Sequence, residues 1–140
     1  MNIVQLLSVL VLSVCLSSLG AHAEDSPEKS AQRAAETWLG HVDAGQYAAS
    51  WQAAAAYLQG AVTESSWTTS LQGVRTPLGK VMSRHLKSAQ HTTSLPGAPD
   101  GHYVVMQCDT SFEHKQVAVE TVTFLQAKDG QWKAAGYYIK

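Results

Sequence analysis

Tyr103-Val104-Val105-Met106-Gln107-Cys108, Val117-Ala118-Val119-Glu120-Thr121-Val122-Thr123-Phe124-Leu125 and Trp132-Lys133-Ala134-Ala135-Gly136-Tyr137-Tyr138-Ile139 decide the fold of this chain. All three segments are rich in β-branched and aromatic side chains, which suit a pleated, half-buried surface. The last two are joined by Lys128-Asp129-Gly130-Gln131, and Asp-Gly predicts a two-residue type I′ hairpin turn. The carboxy-terminal third is therefore a run of antiparallel strands.

Upstream of it, Lys80 to Leu95 mixes Val81, Met82 and Leu86 with Ser, Thr, Arg84, Lys87 and Gln90. That pattern predicts a long polar strand at a sheet edge, where charges discourage pairing with other chains. Leu95-Pro96-Gly97-Ala98-Pro99-Asp100-Gly101 is a loop by composition. Before these strands come three predicted helices. The first opens at Ser26-Pro27-Glu28, with Ser26 as N-cap and Pro27 at the first helical position, and Gly45 ends it. Ala31, Ala34, Ala35, Trp38, Leu39 and Val42 form its apolar stripe. The second runs from Gln46 to Gln59 through the alanines at 53–56. The third starts at Thr63-Glu64, carries Trp67, Leu71 and Val74, and breaks at Thr76-Pro77-Leu78-Gly79. The order of elements predicts an α+β fold: three amino-terminal helices on one face of a four-stranded antiparallel curved sheet.

Residues 1–19 are apolar and uncharged, and Ala21-His22-Ala23 places small residues at the outer positions of a cleavage site. We read 1–23 as a signal peptide cut after Ala23 and 24–140 as one domain. Acylation at Cys15 fits poorly, because bulky Val14 precedes it and apolar sequence continues beyond it. The expected destination is periplasmic or secreted, with no membrane span after cleavage. Cleavage would leave about 117 residues, one domain by length, and one cysteine, Cys108, so no internal disulfide would be available. A formal net charge of −1 argues against a nucleic-acid surface. The six histidines show no HxxxH or HExxH spacing, and no P-loop, dinucleotide fingerprint or Gly-x-Ser-x-Gly elbow occurs. No metal site and no cofactor are expected.

Pairing across the Asp129-Gly130 turn predicts Leu125 opposite Ala134, Thr123 opposite Gly136 and Glu120 opposite Ile139. A turn at His114-Lys115 would then set Asp109 opposite Glu120 and Cys108 opposite Thr121. In this register Val104, Met106, Cys108, Val119, Leu125, Trp132, Ala134 and Tyr138 lie under the helices. Tyr103, Val105, Asp109, Glu120, Val122, Phe124, Tyr137 and Ile139 occupy the other face, whose apolar members suggest a homodimer contact centred on Phe124. Two adjacent carboxylates need a cation between them, which Arg84 or Lys133 could supply. Arg84, Asp109, Glu120 and Tyr137 are therefore the candidate ligand-binding residues, although a plain ion-pair network accounts for the same residue types.

Trp38-Leu39, Val42-Asp43-Ala44-Gly45-Gln46-Tyr47, Ser50-Trp51, Arg75-Thr76-Pro77-Leu78-Gly79, Arg84, Leu95 to Tyr103, Glu120 and Gly130 to Lys140 form a spaced pattern. It resembles the DUF4019 family, bacterial exported proteins of unknown function, and more loosely the NTF2-like and cystatin-like folds. The resemblance implies fold and compartment, with no reaction to carry over. A cystatin-type Gln-x-Val-x-Gly loop is absent, since Gln116-Val117-Ala118-Val119-Glu120 lacks the glycine. The expected function is a non-catalytic module binding a small ligand or a protein. The competing class is a small NTF2-like enzyme using Glu120 or Asp109 as general base in an apolar pocket.

Overall fold

A computed structural model describes residues 23–140. The remainder of the expected signal peptide, with Cys15, lies outside the described residues. The order of elements is α1 (Pro27–Asp43), α2 (Tyr47–Gln52), α3 (Ala56–Ala61), α4 (Glu64–Leu78), β1 (Val81–Thr92), β2 (Tyr103–Phe112), β3 (Lys115–Gln126) and β4 (Trp132–Ile139). The strands form one antiparallel sheet in the order β1-β2-β3-β4, the meander that short connections favour.

Four helices replace the expected three. The alanine-rich segment 46–59 divides at Ala53–Ala55, because tertiary hydrogen bonds there outcompete helix propensity. Ala55 is extended, and its N–H donates to Ala134 O of β4 at 2.8 Å. The Gln59 amide caps the freed end of α2 by donating to the carbonyls of Trp51 and Gln52. The two N-cap signals act as read, whereas α4 continues through Thr76-Pro77, where a break was expected. The Ser26 hydroxyl accepts from the Lys29 N–H and the Thr63 hydroxyl from the Ser66 N–H. Pro77 is accommodated one residue before the end of α4, where Gly79 stops the helix at φ +74°. A side chain at Gly79 would also collide with Glu113, 2.8–2.9 Å from the added carbon, so α4 can dock on the β2–β3 turn only through glycine.

The core lies between α1 and the sheet. Ala31, Ala35, Trp38, Leu39 and Val42 of α1 meet Val104, Met106, Val122, Phe124 and Ala134, with Leu58, Trp67 and Leu71 closing the cluster. Trp38 is its hinge, lying 6.2 Å from Trp67 and edge-on to both Phe124 (6.1 Å) and Tyr137 (5.7 Å). Such tilted aromatic pairs suit the ring quadrupoles. Three indole N–H groups in this region are satisfied: Trp38 donates to Ser50 O, Trp67 to Ser50 Oγ and Trp51 to Val62 O. Trp132 is half-buried at the margin of the same cluster.

The register of β2 on β3 is one residue from that expected. The turn is Glu113-His114, with Phe112 opposite Lys115, and β3 carries one extra residue before Thr110 meets Ala118. Glu120 therefore faces Cys108, and Asp109 faces Val119. A one-residue slip exchanges the faces of a strand. Ala118, Glu120, Val122 and Phe124 point under the helices, while Val119 and Leu125 do not. Tyr137 also turns inward and Tyr138 outward, where it is 57% exposed. The proposed association face thus loses Val122, Phe124 and Tyr137 to the helix side. Gln107, Thr121 and Thr123 share that face with Tyr103, Val105, Val119 and Leu125, so it is mixed, with Thr121 and Tyr103 buried.

The β3–β4 turn also differs. Type I′ requires positive φ at both central residues, yet no described non-glycine residue has positive φ, and Gly130 alone in this turn reaches +86°. The loop has three residues, Lys128–Gly130, closed by Ala127 N–H to Gln131 O at 2.7 Å. Pairing starts at Gln126–Trp132, and Phe124 meets Ala134 in place of the expected Leu125. A bulge beyond that pair restores the count, so Thr123–Gly136 and Glu120–Ile139 form as anticipated.

Candidate functional site

Two features converge where the carboxy end of α1 approaches the edge strand β1. The first is an ion network. The sheet presents Glu120 and Thr110 inward from neighbouring strands, β1 supplies Arg84, β4 supplies Tyr137, and α1 and α4 contribute Asp43 and Arg75. Glu120 is fully buried. Its Oε1 accepts from Arg84 Nε at 2.6 Å and Thr110 Oγ1 at 2.6 Å. Its Oε2 accepts from Arg84 Nη2 at 3.1 Å and from the Tyr137 hydroxyl. Arg84 then holds Asp43 end-on, Nη1 to Oδ2 at 2.8 Å and Nη2 to Oδ1 at 3.0 Å. Arg75 adds a bond to Asp43 Oδ1 at 3.0 Å and lays its guanidinium 5.2 Å from the centre of the Phe112 ring. Arg75 Nε and Nη1 meet no acceptor among the described residues, so the aromatic face is their main compensation.

The electrostatics follow from this wiring. Burial works to raise the pKa of Asp43, but the bonds from Arg84 and Arg75 more than offset it and hold the carboxyl below its ordinary range. Burial opposes the charge on Arg84, yet its two carboxylate partners hold it ionised more firmly than in water. The Tyr137 phenol is pushed far up by burial and by the negative charge of Glu120, so it remains a donor. Two guanidinium groups thus balance two carboxylates, the arrangement in which buried charges are tolerated.

The second feature is a cleft of about 330 Å³ beside this network, between α1 and strands β1 to β3. Its apolar surface comes from Ala35 and Leu39 of α1, Leu86 of β1, Met106 and Cys108 of β2 and Val122 of β3. Gln32, Glu36, Arg84 and His85 supply the polar edge. The α1 residues 32, 35, 36 and 39 lie at helical spacing, so one face of the helix forms a wall, and its Ala35 and Leu39 belong to the core as well. Burial pushes the Cys108 thiol up, which favours its protonated form.

Three of the four sequence candidates, Arg84, Glu120 and Tyr137, meet in one cluster. Asp109 does not join them. It stands exposed on the opposite face, with Lys87 Nζ 3.8 Å away, because the register differs by one. Lys133 lies opposite Leu125, away from Glu120. Asp43, Arg75 and Thr110 escaped the sequence reading. Asp43 carried one signal: an acid in the last turn of a helix opposes the helix dipole and calls for a nearby cation.

The wiring also limits chemistry. Each Glu120 oxygen already accepts two donors, which fills the lone-pair capacity of a carboxylate. It has no site for a substrate proton, and Asp109 stands exposed on the sheet surface. At the far end of β1, His91 Nε2 and His102 Nδ1 lie 3.1 Å apart, with ring planes 9° apart and centroids at 5.3 Å. That centroid separation is roughly two ring radii plus the bond, so the imidazoles meet edge to edge through one hydrogen bond that closes the 93–101 loop.

The fold and cluster define a small α+β domain in which a four-strand meander carries helices on one face and a buried ion network at one end. The chain matches the family model described as a protein of unknown function, DUF4019, over residues 34–137, and it belongs to that family. No curated protein matches it.

Proposed function

We propose that this is an exported, periplasmic binding module of NTF2-like architecture that holds a small apolar molecule in the cleft between α1 and the sheet, without acting on it chemically. The cleft itself carries this reading. Ligand sites are concave, largely apolar and edged by a few convergent polar groups, and about 330 Å³ is at the small end of their range. The ion network supports it as a brace. Arg84 clamps the end of α1 to the sheet, which keeps the cleft open where a plain sheet and helix would close by side-chain packing.

Isotope-labelled methyl NMR against a fragment library tests the proposal. Shifts centred on Leu39, Leu86, Met106 and Val122 are expected for apolar fragments. Shifts confined to the Thr-rich face of the sheet, or none at millimolar concentrations, would overturn it.

A further inference from the structure

The charges at the edge of the cleft define the chemical class of its ligand, if the cleft is a binding site as proposed above. Two ionised groups at its edge matter, and they differ in what they still offer. Arg84 is the one Lys or Arg among the residues lining the cleft, and it is almost fully committed. A guanidinium has five N–H donors; Nε, one on Nη1 and both on Nη2 point at Glu120 and Asp43. One N–H of Nη1 remains. Glu36 is the reverse case. It is exposed on α1, its one hydrogen-bond partner is the Gln32 amide at 3.0 Å, and no cation among the described residues pairs with it. It nevertheless lines the cleft, beside Gln32 and one turn from Leu39.

An anionic head group entering here would find one donor and meet the field of Glu36. A cationic head group would find an ionised carboxylate whose partner is missing. We infer that the cleft takes an apolar molecule carrying one positive charge, an amphipathic amine, with its nitrogen at Glu36 and its hydrocarbon on Leu39, Met106 and Val122. Neutral Gln32 beside Glu36 adds an acceptor for a second N–H, which favours a primary or secondary amine over a quaternary one.

Calorimetric titration with n-decylamine, n-decanol and decanoate, each below its micelle concentration and at pH 8, separates the possibilities. The amine is expected to bind about tenfold more tightly than the alcohol, the scale of one charge-assisted hydrogen bond, and decanoate most weakly. Glu36→Gln should bring the amine down to the alcohol while leaving the alcohol unchanged. Because Glu36 is exposed, this variant should keep the wild-type circular dichroism and melting midpoint. Leu86→Trp, which fills the cleft from its half-exposed strand, should weaken all three probes. Equal binding of the three probes, tightest binding of decanoate, or an amine preference that persists in Glu36→Gln would overturn the charge assignment and leave the cleft reading standing. No binding by any probe would overturn both.

Discussion

Replacing Arg84 by methionine should be among the most damaging changes that leave the hydrophobic core intact. Methionine keeps an apolar stem of similar length, so the change removes charge and hydrogen bonds more than volume. The loss falls on Glu120, which has no exposed surface and would keep two neutral donors, Thr110 and Tyr137, with no cation. Asp43 would keep Arg75 alone. Removing one partner of a buried pair strands the other charge and costs about 3–5 kcal/mol, against about 0–1 kcal/mol for an exposed pair. Urea denaturation at pH 7 should therefore show a midpoint shift corresponding to about 3 kcal/mol or more, with the slope unchanged. The double variant Arg84→Met/Glu120→Gln should recover part of that loss, because neutral glutamine can still accept from Thr110 and Tyr137 without a stranded charge. A loss below about 1 kcal/mol for the single variant, or no recovery in the double, would mean that the network is an ordinary surface cluster and that the burial argument fails.

Four further outcomes follow from the same contacts. Trp38→Ala should cost about 3–5 kcal/mol in the same melts, as for other large buried aromatics, and the near-ultraviolet signal of Tyr137 should change with it. Gly79→Ala should destabilise by more than about 1 kcal/mol, since it combines positive φ with a clash at Glu113, and a neutral result would place the α4–β2 junction elsewhere. The folded-state pKa of Asp43 is depressed, so its contribution to stability is present above its ordinary value of 3.8 and is lost as pH falls through the lower folded value. Asp43→Asn should flatten that acid limb of the stability curve. Phe124→Asp should unfold the protein in circular dichroism, since Phe124 is core rather than contact surface, and a folded variant with altered sedimentation would contradict this placement.

Much of this architecture was legible because single residues carried strong local signals. The alternation Val104, Met106, Cys108 named the inward face of β2, and Ser26-Pro27, Thr63 and Gly45 placed helix ends near where they occur. The errors arose where the chain gives weak or competing signals. Glu113-His114 and His114-Lys115 are equally bland as turns, but exchanging them shifts the pairing by two residues and keeps the faces; the one extra β3 residue next to the turn is what inverts them and moved Phe124 and Glu120 to the wrong face. The bulge that leaves Val117 84% exposed has no glycine to announce it. Ala53–Ala55 is an excellent helix sequence interrupted by one hydrogen bond to Ala134, a partner far away in sequence. Arg84, Glu120 and Tyr137 could be read as charged or polar residues out of place in strands. Asp43 and Arg75 could not, because charged residues near helix ends are commonplace and only the tertiary fold brings them to Arg84. The cleft was invisible for the same reason: it is the gap between two elements, and no residue encodes a gap.

The claim that the α1–sheet cleft is a binding site is tested most directly on protein from its own cell. Native mass spectrometry after gentle purification should reveal wild-type protein carrying a small noncovalent adduct, and Leu86→Trp purified in parallel should lack it. Wild-type protein free of any adduct at the mildest activation, or the same adduct on both proteins, would contradict the account.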